Sequence, residues 1–179
     1  HTTLSSATVT LTRGTLNTNG NSCSWGLFTS FDGLTRTLTL GASNITLTGV
    51  GNVWNMSTVT TLTITANTST IIINDSTVAA KSFIGGGMTF NNITFSGDNI
   101  TVSGSNTFAE MILANACLTT VIIFTAGATQ TITSLRTYGF ASNLTKIKSD
   151  TNGVQAILSK ATGVISVDYM SIQDIQAAT

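Results

Sequence analysis

Residues Asn92–Phe108 read NITFSGDNITVSGSNTF and carry the clearest structural signal in the chain. Asn-Ile-Thr occurs at Asn92 and again at Asn99, and Asn-Thr-Phe follows at Asn106, so one step of seven residues is taken twice. Within each step apolar and polar residues alternate, as in a β-strand with one buried face. Each run breaks near Ser-Gly, a pair typical of tight turns. The stretch therefore predicts short strands separated by sharp corners.

The sequence also contains a longer repeat, in addition to the alternation of apolar and polar residues within each strand. An apolar-x-x-apolar-x-apolar pattern recurs at intervals of about twenty residues, which is the signature of a solenoid whose coils bury each other's apolar faces. The copies are Phe90, Ile93, Phe95; Phe108, Met111, Leu113; Ile132, Leu135; and an earlier Val59, Leu62, Ile64. We predict an all-β, right-handed parallel β-helix with coils of about 18–24 residues. Eight residues are predicted to point inward: Phe90, Ile93, Phe95, Phe108, Met111, Leu113, Ile132 and Leu135. An antiparallel β-sandwich or jelly roll is the alternative, since it also has short strands and regular turns.

The chain of 179 residues is long enough for a single β-rich domain over residues 1–179. An alternative division makes residues 1–40 an N-terminal attachment or capping segment and residues 41–179 the solenoid body. Phe108–Leu118 is the least strand-like stretch, because it is rich in Ala and Met, and it predicts either a short helix or a wide corner.

Charged residues make up only 8% of the chain, and its seven basic and seven acidic residues cancel. This composition lacks the basic surface that nucleic-acid binding requires. No apolar run approaches the length of a membrane span, so membrane insertion is not expected.

Few residues are suited to catalysis. His1 is the only histidine, and Cys23 and Cys117 are far apart, with no metal-ligand spacing, so we expect no metal, no cofactor and no catalytic triad. The cysteines are either two buried thiols or one long-range disulfide. Asp98 and Glu110 could approach each other on neighbouring coils as a carboxylate pair, although Asp98 also suits a Gly-Asp-Asn turn.

Three segments of the C-terminal half carry a resemblance: TFNNITFSGDNITVSGSNTF from Thr89, FTAGATQTITSL from Phe124 and GVQAILSKATGVISVDYMSIQD from Gly153. The sequence of these segments resembles that of repetitive extracellular and virion proteins with right-handed β-helix character, and the resemblance covers about half of the chain. The resemblance implies a non-enzymatic role as a capsid decoration, fibre component or adhesin stalk, located outside the cell or on a virion surface.

Four aromatic residues are candidate contacts for a glycan or a protein partner, namely Trp25, Trp54, Tyr138 and Tyr169. The leading hypothesis is a structural protein that assembles with itself, most simply as a trimer, or docks on a larger virion or surface assembly. The terminal coil, with Ile165, Val167, Tyr169 and Ile172, has no obvious polar cap. The second hypothesis is a glycan-binding adhesin or receptor-binding module, and a third is an ice-binding solenoid, because Thr-x-Thr runs occur in TLTIT and TVTTLTIT.

Overall fold

The computed structural model describes residues 2–114 and 121–179. Within these ranges every regular element is a β-strand. The strands are Thr2–Thr10 (β1), Gly14–Asn17 (β2), Cys23–Thr29 (β3), Arg36–Thr39 (β4), Asn44–Leu47 (β5), Gly51–Asn55 (β6), Leu62–Thr65 (β7), Thr70–Ile73 (β8), Lys81–Ile84 (β9), Thr89–Phe95 (β10), Ile100–Ser103 (β11), Thr107–Leu113 (β12), Val121–Phe124 (β13), Thr129–Thr137 (β14), Thr145–Ser149 (β15), Ala156–Ser159 (β16), Met170–Gln173 (β17) and Ile175–Ala178 (β18).

The strands pair in parallel and stack as a β-solenoid of about 7 turns, which confirms the predicted fold class and not the sandwich. Each coil passes through three walls. The first wall contains the start of β3, then β5, β8 and the later halves of β10, β12 and β14. The second contains the end of β3, then β6, β9, β11, β13, β15 and β17.

The third wall contains β2, β4 and β7, and later the first halves of β10, β12 and β14 followed by β16 and β18. It is interrupted between β7 and β10, because β7 ends its sheet. The strands within residues 2–40 join these walls as ordinary coils, since β3 pairs with β5 and β6, and β4 pairs with β7.

Coil length varies more than the repeat pattern predicts. Ile93 aligns with Met111, 18 positions later, whereas Gly51 aligns with Lys81, 30 positions later. The added residues lie in corners such as 56–61 and 74–80, outside the strands. The register between strands is therefore kept while the corners absorb the difference.

The interior is built from the predicted apolar columns. Seven of the eight residues predicted to point inward are buried, and Leu135 is half-buried against the same cluster. In the earlier copy Leu62 is buried, and Val59 and Ile64 pack against the core as half-buried residues. Stacking apolar side chains in columns lets each coil cover the apolar face of its neighbour.

The stretch Phe108–Leu118 differs from its predicted structure. Thr107–Leu113 is strand β12, in parallel register with β10 and β14, so the predicted helix or wide corner is wrong for Phe108–Leu113. Stacking of Phe108, Met111 and Leu113 on the neighbouring coils outweighs the weak helix preference of Ala109 and Met111. The remainder, from position 115 to Leu118, lies outside the described residues.

Two buried cationic side chains, Lys81 and Arg36, hydrogen-bond to the long corners and stabilise them. The sequence pattern did not predict the burial of either residue. The Lys81 ammonium is fully buried and donates to the carbonyl oxygens of Thr77 at 2.7 Å, Ala79 at 2.9 Å and Asp98 at 3.1 Å. It also lies 3.1 Å from a carboxylate oxygen of Asp75. These contacts satisfy the charge and close the corner over the core.

The second cation, Arg36, is held in the same way. Its guanidinium donates to the Leu34 carbonyl at 3.0 Å, the Ser30 hydroxyl at 3.0 Å and the Thr58 carbonyl at 2.7 Å. It thereby ties residues 30–34 of one coil to the corner at Thr58 of the next. Backbone carbonyls in the irregular corners have no strand partner, and the Arg36 side chain supplies their hydrogen-bond donor instead.

We expect Ile93→Asp to lower the free energy of unfolding by about 3 kcal/mol or more, because it places an unpaired charge among fully buried side chains. The matched control is Thr94→Asp on the opposite face of the same strand, which should cost much less. Chemical denaturation of both variants measures the difference. Equal unfolding midpoints would mean that the register of β10 is shifted by one residue.

The Asp75–Lys81 pair predicts a pH dependence. Burial acts to raise the pKa of Asp75, but hydrogen bonds from Thr77 and Lys81 outweigh it and hold that pKa below its usual value. A carboxyl group whose pKa is lower in the folded state stabilises the fold fully above the unfolded-state pKa. That contribution is lost as the pH falls through the folded-state pKa.

We therefore expect wild type to be more stable than Asp75→Asn at neutral pH, and the gap to close in the acidic range. Thermal unfolding of both proteins between neutral and strongly acidic pH measures this gap. A gap that stays constant over the whole range contradicts the assignment.

Candidate functional site

A groove opens on the first wall where the last coil departs from strand geometry. Residues 160–169 pass beside the end of β14 without forming a strand. One side of the groove is Leu135–Gly139 and the other is Ser166–Tyr169, and its volume is about 430 Å³. We call it the end groove. It exists because this segment crosses the wall without continuing the ladder.

The two sides of the end groove are fixed to each other. The Thr137 hydroxyl donates to the Asp168 carbonyl at 3.1 Å, and the Thr145 amide donates to the Tyr169 carbonyl at 3.0 Å. Gly139 permits this approach, because a Cβ atom there would lie 2.4 Å from the Tyr169 carbonyl oxygen. The groove is therefore a preformed feature of the last coil.

Two of the four predicted contact residues meet in the end groove. Tyr138 is 55% exposed on one side and Tyr169 is 51% exposed on the other. They are 31 positions apart in the chain, and no motif in the sequence indicated that they share a site. Their shared position follows from the path of residues 160–169 across β14.

The other two predicted contacts are core residues. Trp25 and Trp54 are buried in a column of rings that runs through successive coils. Phe28 lies between them, with ring centroids 5.7 Å from Trp25 and 4.3 Å from Trp54, and Phe83 continues the column at 5.9 Å from Trp54. Neither indole has a ring face open to a ligand, so the two tryptophans contribute to stability through packing.

An ion pair borders the end groove. Nε of Arg136 donates to a carboxylate oxygen of Glu110 at 2.6 Å across adjacent coils. The hydrogen bond and the charge of Glu110, with a smaller contribution from Tyr138, raise the pKa of Arg136. The Arg136 side chain is nonetheless more than half exposed, so it is oriented and also accessible.

The predicted carboxylate pair does not form a joint site. The Asp98 carboxylate accepts hydrogen bonds from the amides of Asn99 at 2.7 Å and Val121 at 3.1 Å, and it stabilises a corner. Glu110 binds Arg136 on the first wall instead. The structure therefore gives the two acids separate roles: Asp98 takes the turn role that was the alternative for it.

Cys23 is a buried free thiol, and burial raises its pKa. Cys117 lies outside the described residues, and so does His1. Among the described residues, no group of three or more His, Cys, Asp or Glu side chains is placed to hold a metal ion.

Threonines of successive strands are aligned in rows on the third wall, although the coils differ in length. Thr15, Thr37 and Thr63 are stacked in register, and beside them Asn17, Thr39 and Thr65. The array ends there because the wall is interrupted after β7. It therefore spans only two intervals of about 4.8 Å, which gives little support to the ice-binding hypothesis.

A second opening lies at the end of the solenoid interior. A cavity of about 180 Å³ is lined almost entirely by apolar side chains of the last two coils. Its lining comprises Leu135, Ile147, Leu158, Ile165, Val167, Met170, Ile172, Ile175 and Ala177. Ile172 at its edge is 58% exposed. We call this region the open end.

No helix in the described part of the chain is long and apolar enough to span a membrane. Comparisons with known protein families, with curated proteins and with solved structures find no match for this chain.

Proposed function

We propose that this protein is a non-enzymatic structural β-solenoid that assembles with further copies of itself through the open end. The observation that carries the proposal is the group of apolar side chains at the open end, where Ile172 is 58% exposed beside a cavity lined by apolar residues. Exposed apolar side chains grouped at one place favour association.

The surface chemistry supports association between copies. The chain carries no net charge, so little like-charge repulsion opposes contact. Three solenoids that share their open ends around one axis would cover Ile172 and its neighbours in each copy. Closed symmetry of this kind also prevents indefinite growth into a fibre, which makes a trimer the simplest assembly.

The setting we propose is the surface of a virion or a cell. The sequence of the C-terminal half resembles that of repetitive extracellular and virion proteins. A parallel solenoid is also a stiff rod, which suits a capsid decoration or a fibre. Outward positions are mostly Thr, Ser and Asn, which hydrogen-bond to water without charge.

Light scattering on the purified chain tests the assembly. We expect a particle of at least two chains of 18.6 kDa each at micromolar concentration, with three chains as the simplest assembly. Ile172→Lys should reduce it to a monomer, because the charge would have to be buried in an apolar contact. Val78→Lys is the control, since Val78 is also an exposed apolar residue but lies in a corner away from the open end.

A wild-type chain that is a stable monomer would contradict the proposal. An oligomer that survives Ile172→Lys unchanged would show that the contact lies elsewhere on the solenoid.

A further inference from the structure

The end groove has features that assembly through the open end does not use. We propose that it binds an uncharged saccharide, with one sugar ring held between Tyr138 and Tyr169. Its volume of about 430 Å³ falls within the range of about 300–1,000 Å³ typical of small-molecule sites. This function is additional to the structural role and does not depend on it.

The aromatic rings supply the apolar part of the recognition. Tyr138 and Tyr169 are each about half exposed and come from the two separate segments that line the groove. A tyrosine ring offers a flat apolar face and a polar hydroxyl at its edge. A pyranose ring has C–H groups on its faces and hydroxyls around its rim. Its faces can therefore pack against the two tyrosine rings while its hydroxyls reach polar groups.

The polar groups of the groove suit hydroxyl groups. Glu110 engages one N–H of Arg136 and thereby orients the guanidinium, whose other N–H groups are donors. On the opposite side Asp168 and Ser166 are exposed, and a carboxylate is a strong acceptor. A donor on one side and acceptors on the other can bind neighbouring hydroxyls of one ring.

The charges and the polar groups together favour a neutral ligand. Arg136 is neutralised by Glu110, and Asp168 adds a negative charge, so these three groups sum to one negative charge. An acidic saccharide would be repelled by Asp168. A quaternary ammonium group is attracted by aromatic faces and by negative charge, but it has neither a donor nor an acceptor for hydrogen bonds to Arg136 and Ser166. A neutral sugar meets no like charge and can hydrogen-bond to both.

The two sides of the end groove need no rearrangement to accept a ligand. The Thr137–Asp168 hydrogen bond and the close contact of Gly139 with the Tyr169 carbonyl hold the two sides together. A groove that is rigid before binding loses little conformational entropy when the ligand enters.

The experiment is a titration of the full chain with neutral oligosaccharides of glucose, galactose and mannose. Uronic acid oligosaccharides and choline serve as charged probes. Saturation-transfer NMR detects binding, and calorimetry gives the affinity. We expect a neutral saccharide to bind and Tyr138→Ala to weaken it at least about tenfold. Tyr138→Phe, which keeps the ring, should change the affinity much less.

Phe31→Ala is the matched control, since Phe31 is an exposed aromatic residue far from the groove in sequence and in the fold. Unchanged melting temperatures would show that both alanine variants are folded. If Tyr138→Ala does not fold, Asp168→Asn replaces it, and we expect weaker binding there too. The proposal is overturned if no neutral saccharide binds, if only a charged probe binds, or if the affinity is unchanged in folded Tyr138→Ala or, where that variant does not fold, in folded Asp168→Asn.

Discussion

Parallel pairing between successive coils is the constraint on which the rest of the structure depends. Strands inside the stack pair with strands of the coils before and after them, so the register of one coil fixes the next. The coils differ in length from 18 to 30 residues, yet the apolar columns stay aligned. This is possible because the extra residues are confined to corners, where buried Lys81 and Arg36 bind carbonyl oxygens that have no strand partner. Without these two cations the long corners would leave polar backbone groups uncovered beside an apolar interior.

Both candidate sites lie where this pairing stops. Residues 160–169 depart from strand geometry and open the end groove beside β14, and Ile165 and Val167 from the same segment line the open end. The groove is a mixed surface of tyrosines and charged groups, whereas the open end is apolar. Different surface chemistry at neighbouring places suggests two separate roles, one for a hydrated ligand and one for a second copy of the chain. The proposed structural and saccharide-binding functions follow this division.

The sequence predicted the fold because its two periods report directly on backbone geometry. Alternation marks the strands, and the recurring apolar triplet at Phe90 and Phe108 marks the coils. Corners were less predictable. The seven-residue repeat gives Asn92, Asn99 and Asn106 equivalent places, but Asn99 and Asn106 lie at corners whereas Asn92 lies within β10. The candidate site was only half predictable. Exposure of Tyr138 and burial of Trp54 depend on which way each strand faces, and no local pattern around single aromatic residues reports that. Lys81 and Arg36 were missed because an isolated cation in a sequence indicates a solvated surface.

Direct measurement of the register between unequal coils tests this account best. Thr37 of β4 aligns with Thr63 of β7, although 26 residues separate them. In a chain that carries Cys23→Ser and Cys117→Ser, the pair Thr37→Cys and Thr63→Cys should form a disulfide under mild oxidation. The Cα atoms of these two positions should lie about 4.8 Å apart, within the range a disulfide spans. The pair Thr37→Cys and Thr65→Cys should not form one, because the offset of two residues places the two Cα atoms beyond about 7 Å. Efficient coupling of the second pair in preference to the first would contradict the stacking described here.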